Sequence, residues 1–328
     1  MRVEVDRVEV LNRTVRRMIS GGLVRQKTLK GDVECSGVAL HSGKSVRMRL
    51  RPAAPESGIR FRRTDVDANV CDIPARFDNV VETRLCTTVA NKHGVKVATI
   101  EHLMAALAGC EIDNAIIELD ADEVPVMDGS SAPFVRLIEG IGIKEQSLPR
   151  RAIRVVRPIS VRDGAKFLKV EPSDVSLVNL EIEFDCASIG RQSLTLPMTK
   201  DAFVDGVADA RTFGFLHEVE ALRAAGLARG GSLDNAVVLS DDGILNEEGL
   251  RHQDEFVRHK ILDCIGDLYL AGAPIIGAVS GSCSGHALNN ALLLALFEDE
   301  TAWVWESVEA DDFDDAATWE AEPELMPA

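Results

Sequence analysis

The segment from Asp254 to Ala271 constrains the fold most, because a helix there would carry two stripes at once. At about 100° per residue Val257, Ile261, Cys264, Ile265 and Leu268 form one apolar stripe, and His259, Asp263 and Asp267 form a second on nearly the opposite side. Phe256 and Leu270 fall on that second side too, so the polar face is expected to be covered rather than open to water. The flanking sequence supplies the layers to cover it. Val46, Met48 and Leu50 alternate with Arg47, Arg49 and Arg51, and Val178, Leu180, Ile182 and Phe184 alternate with polar residues; both read as strands buried on one face. Ala115 to Leu119 reads as a buried strand, and Pro274 to Val279 as another. Helices are expected at Glu101 to Ala108, stopped by Gly109, at Ala132 to Glu139, and at Ala287 to Leu296. A charged, Pro-containing stretch, Ser147 to Arg151, is the candidate linker. Each half then mixes strands with about two helices, which suggests two similar α+β layers without a sequence repeat.

Composition sets the class. The 328 residues are 46% hydrophobic and 27% charged, as in a globular enzyme of about two domains. Seven cysteines form no CxxC pair and read as reduced thiols, mostly in the core. No apolar window is long enough for a membrane span, and the N-terminus lacks the features of a secretory signal, so a cytoplasmic location is expected. A net charge of -17 argues against general nucleic-acid binding. That charge is uneven: residues 298–328 hold twelve Asp and Glu and no Lys or Arg, whereas residues 1–30 hold eight Lys and Arg against three acids. The acidic end is expected to be a solvated, disordered tail.

Three clusters could carry chemistry. His259 and Asp263, one turn apart, can place a ring nitrogen and a carboxylate oxygen on one metal ion such as zinc; a covered polar face is the plainer reading. Glu101-His102 opens a helix, so His102 can complete a three-ligand site while Glu101, about 100° away, faces the substrate as a base. The alternative is a favourable charge at the helix N-terminus beside a packed His. Ser280 to His286 is a Gly- and Ser-rich turn that delivers His286 to a helix start. His286 can act as a general acid if Asp267 holds its other nitrogen; otherwise it is an incidental His on a capping turn.

Together these segments resemble the UDP-3-O-acyl-N-acetylglucosamine deacetylases, zinc amidases of lipid A biosynthesis. The resemblance rests on Thr28-Leu29-Lys30 with Ser36 to Gly43, Thr99 to Gly109, Asp113-Asn114, Met127 to Ser130, Ala210 to Phe215, Asp254 to Asp267, and Ser284 to Asn289. It covers about residues 26–297; the basic leader and acidic tail are not part of it.

The resemblance implies an α+β fold of two similar domains, each a sheet layered against a pair of helices, with the active site at their interface. The expected division is a basic extension over 1–25, domains over 26–148 and 149–297, an acyl-passage insert near 213–238, and the tail over 298–328. It implies that His102, His259 and Asp263 bind Zn2+, that Glu101 is the base, and that His286, held by Asp267, protonates the leaving amine or steadies the oxyanion. Thr212 would help hold the oxyanion and Lys260 would meet phosphate. Leu85, Cys86 and Phe215 would contact the acyl chain, and Phe213 the uridine. The implied partner is a UDP-sugar lipid substrate, with no nucleic acid, no membrane span, a peripheral contact at the inner membrane left open, and a monomeric state. Two other functions stay in view, a non-catalytic nucleotide-sugar or acyl-chain binding protein of the same fold and a zinc deacetylase of another amide.

Overall fold

The computed structural model describes residues 23–308, so the expectations for residues 1–22 and 309–328 lie outside the described residues. Period-2 patterning builds two five-stranded sheets. The first contains β1 (Val33–Val38), β2 (Ser45–Pro52), β3 (Ile59–Arg63), β4 (Asp72–Pro74) and β5 (Ala115–Leu119), in the spatial order β1-β2-β5-β3-β4. The second contains β6 (Ile159–Asp163), β7 (Lys166–Glu171), β8 (Leu177–Glu183), β9 (Arg191–Pro197) and β10 (Ala278–Ser282), in the order β6-β7-β10-β8-β9. In each, the last strand of the chain enters the middle, antiparallel to one neighbour and parallel to the other. The two halves therefore share order and polarity as well as content. Val46, Met48 and Leu50 of β2 and Val178, Leu180 and Ile182 of β8 turn inward as their alternation dictates.

Six helices are described: α1 (Glu101–Gly109), α2 (Ala132–Ile141), α3 (Lys200–Gly206), α4 (Leu216–Ala224), α5 (Glu255–Leu268) and α6 (His286–Glu298). α1 and α2 flank β5 in sequence, and α5 and α6 flank β10, which gives each half its pair of helices. α1 packs on α5. Gly266 makes that contact possible: a Cβ there would lie 2.0 Å from the Glu101 carbonyl oxygen, so only glycine admits α5 this close to the start of α1. Each half also has an insertion before the first helix of its pair. One is a small sheet of Val80–Glu82, Thr88–Ala90 and Lys96–Val97; the other adds α3, α4 and the strands Phe213–Phe215, Val237–Ser240 and Gly243–Ile244.

Some expectations change. The stretch expected as a linker is structured: Ile143–Pro149 pairs with Arg25–Leu29, and Arg150 is buried with its guanidinium on Glu111 and Asp113. The single strand expected over 274–279 is divided at Gly277, with Ile275–Ile276 parallel to Arg151–Val155 and the chain then crossing into β10. The first part of the expected tail is also built in. Trp303–Ser307 is a strand antiparallel to Arg151–Val155, and its Trp303 ring packs on Phe297. Charge counting missed this because Ala302, Trp303 and Val308 bring apolar surface to an otherwise acidic stretch.

Candidate active site

The second stripe of α5 faces the start of α1, and this meeting assembles the site. His102 Nε2 lies 3.6 Å and His259 Nε2 3.3 Å from Asp263 Oδ1. One ligand-type atom from each residue lies within 4.8 Å of the others, and all three side chains are buried. Asp263 Oδ1 accepts no hydrogen bond among the described residues, an orphaned buried oxygen between two imidazole nitrogens. Two nitrogens and one carboxylate oxygen around such an atom are what a catalytic zinc takes, so the residues fit the metal. His259 Nδ1 donates to the Ala210 carbonyl over 3.0 Å, which leaves Nε2 with its lone pair turned to the cluster. Burial pulls the His259 ring down to about 4, against the pull of Asp263, so the imidazole is neutral near pH 7 and able to ligate. For Asp263, burial pushes upward, but His259 and Lys260 outweigh it and hold the carboxyl well below its usual range.

Glu101 and His286 flank the cluster. Glu101 Oε2 accepts the Thr87 backbone N–H over 3.0 Å, and Oε1 is 3.9 Å from His286 Nε2. Burial pushes the Glu101 carboxyl up to about 8, with the His286 charge drawing it back. Burial opposes the His286 charge, but Asp267 and Glu101 outweigh it and lift the ring to about 10. His286 Nδ1 donates to Asp267 Oδ2 over 2.8 Å, so Nε2 points to Glu101. A carboxyl able to take a proton once ionised and a charged imidazole able to give one thus stand together beside a metal-type cluster.

Other expected residues are placed as follows. Lys260 Nζ donates to Asp263 Oδ2 over 3.0 Å and lies 5.7 Å from the centre of the Phe213 ring. Thr212 stands two residues after Ala210, with its N–H on the Gly129 carbonyl, and lines an open groove of about 440 Å³. Leu85, Phe213, Val219, Leu222 and Val238 line the same groove. Phe213 is packed edge to face against Phe184 and Phe256. Cys86 and Phe215 are not among the groove's lining residues: Cys86 is buried beside Thr88, and Phe215 leans on Phe184 and His217.

Sequence reasoning missed Thr87 and Asn289. The Thr87 hydroxyl donates to Asp267 Oδ1 over 2.5 Å and the Asn289 amide to Asp267 Oδ2 over 2.8 Å. Asn289 lies three residues after His286 on one helix, a spacing that could have disclosed it. Nothing in the sequence signals that Thr87 reaches across the fold to Asp267.

Known proteins resemble this sequence over most of its length. The sequence model of the UDP-3-O-acyl N-acetylglycosamine deacetylase family matches residues 26–298. A UDP-3-O-acyl-N-acetylglucosamine deacetylase of Phenylobacterium zucineum is 51% identical over 278 residues, 85% of this chain and 95% of the relative. Proteins of the same name are 50% identical in Acidithiobacillus ferrooxidans, over 86% of this chain and 92% of the relative, and 48% identical in Vibrio parahaemolyticus, over 88% and 95%. With more than half its length matched by the family model and with such relatives, the chain belongs to the UDP-3-O-acyl N-acetylglycosamine deacetylase family.

Proposed function

We propose that the protein hydrolyses the N-acetyl group of a UDP-3-O-acyl-N-acetylglucosamine, releasing acetate and the free amine on the path to lipid A. The observation that carries the reading is the convergence of His102, His259 and Asp263 beside Glu101 and the Asp267-held His286. His102, His259 and Asp263 would hold Zn2+. When bound there, zinc acidifies water and polarises a carbonyl oxygen. Glu101 takes the proton of the attacking water. His286, turned by Asp267 so that Nε2 faces the reacting atoms, gives its proton to the leaving nitrogen. Thr212 is assigned to the carbonyl oxygen as charge builds on it, and a donor of that kind contributes on the order of 3 kcal/mol at the barrier. Lys260 is assigned to phosphate, and Phe213 beside it to the uridine.

The acyl chain is assigned to the groove lined by Leu85, Val219, Leu222 and Val238, since each buried methylene contributes about 0.8 kcal/mol. Cys86 follows the lining residue Leu85, and Phe215 stands between the lining residues Gly214 and Leu216. Seven unpaired cysteines suit the cytoplasm, the compartment assigned here. Among the described residues no helix is long and apolar enough to cross a membrane. The reading is of two domains, 26–148 and 149–297, with the strand Trp303–Ser307 joined to the second, acting as a monomer. Elemental analysis with an acetate-release assay tests it: zinc at one per chain and faster release from acylated than non-acylated UDP-N-acetylglucosamine are expected. Equal rates on the two substrates would favour a zinc deacetylase of other amides, and zinc uptake without acetate release a binding protein.

A further inference from the structure

Four residues of α5 recur every fourth position on one side: Glu255, His259, Asp263 and Asp267. The last three serve the site; Glu255, wholly buried, has no part in it so far. Its Oε1 accepts both the backbone N–H and the Nε of Arg211 at 2.9 Å, and its Oε2 accepts Arg211 Nη2 at 3.2 Å and the Arg251 N–H at 2.7 Å. Arg211 is itself buried, with its other contacts on Glu248 and the Gly249 carbonyl. The Arg211 N–H and the Ala210 carbonyl belong to one planar peptide group. That carbonyl is the one that receives His259 Nδ1–H at 3.0 Å. A single rigid amide is therefore gripped at both ends by residues one helical turn apart.

We propose that Glu255 is a positioning residue for His259, acting through the Ala210–Arg211 peptide to fix the imidazole with Nε2 toward the metal. A histidine ligand commonly gives its second N–H to a carboxylate or a carbonyl, and that partner sets tautomer and ring orientation. Here the carbonyl is the partner, and the carboxylate holds and polarises the amide that carries it. The inference rests on the reading of His259 as a metal ligand.

Two double variants separate the amide link from the ion pair. Arg211→Met with Glu255→Gln removes both charges but keeps an acceptor for the Arg211-position N–H; Arg211→Met with Glu255→Leu removes both charges and the acceptor. Replacing a buried ion pair as a whole avoids stranding one charge. Zinc affinity is measured by chelator competition and ligand geometry by the visible absorption of the cobalt-loaded protein. The Gln variant is expected to hold zinc as the unsubstituted protein does, and the Leu variant roughly ten- to a hundredfold more weakly, with a changed cobalt spectrum. Equal affinity in both variants, whether kept or lost, overturns the proposal. If the Leu variant does not fold, the unsubstituted protein still decides: the Arg211 backbone amide resonance must move as zinc is titrated, and an unmoved resonance overturns the proposal. Should the unsubstituted protein take up no zinc, the metal reading falls and this inference with it; zinc uptake with any of the adverse results removes this inference alone.

Discussion

Glu101 and His286 stand 3.9 Å apart and need opposite protonation states to work, so the rate should trace a bell against pH. Glu101, raised to about 8, becomes a base as pH rises through its pKa; His286, raised to about 10, stops being an acid as pH rises through its own. A bound dication lowers both, so the acidic limb should fall at or below pH 8 and the alkaline limb at or below pH 10. Glu101→Gln should keep zinc, lose the acidic limb and cost orders of magnitude in kcat; turnover near that of the unsubstituted protein would remove Glu101 from the role. Thr87→Val deletes the hydroxyl on Asp267 while leaving the backbone N–H on Glu101. A hydrogen bond to a charged group is worth about 1.5–3 kcal/mol, so kcat should fall about tenfold or more with zinc content unchanged. Undiminished kcat would show that Asn289 and His286 suffice to hold Asp267. His259, Asp263 and Asp267 were legible in sequence because helical periodicity displays them together. Thr87 was not, because its partner is fixed by tertiary contact.

At the scale of elements, the site exists because α1 and α5 approach closely at Gly266. Gly266→Ala removes a residue that disfavours helices, and by propensity alone would stabilise α5 by about 1 kcal/mol. The packing opposes this. A methyl group 2.0 Å from the Glu101 carbonyl oxygen must push the start of α1 away, and with it Glu101 and His102. The variant is expected to bind zinc at least tenfold more weakly and to lose most activity, while far-UV circular dichroism still reports a folded α+β protein. Unchanged zinc affinity and activity would show that the helix contact is more yielding than its geometry implies. The four expected helices, α1, α2, α5 and α6, were readable to within a few residues because apolar spacing is local, whereas α3 and α4 were not anticipated. The division of 274–279 at Gly277 was not, because both pieces are apolar and only the neighbouring strands decide which sheet each joins.

For the whole molecule, the shared strand order of the two sheets was legible only as a similar mixture of strands and helices, because topology depends on pairings far apart in the chain. The same blindness hid the role of the C-terminal stretch, and it changes where the chain can be cut. Ending at Phe297 removes the strand Trp303–Ser307 from its place along Arg151–Val155, exposes the Phe297 ring and deletes the wholly buried Ala302 and Val308. Val308 also joins Val24 to Arg150 through backbone hydrogen bonds to both. Burial of a valine contributes about 2 kcal/mol, and the lost strand adds to it, so the shorter chain should melt at least ~5 °C lower. A chain ending at Val308 keeps all these contacts. It should match the full chain in Tm, zinc content and kcat/KM. Thermal melts and acetate-release kinetics on both truncations decide: equal stability of the two would show that the edge strand contributes little, and loss of turnover in the longer one alone would show that residues 309–328 complete the site.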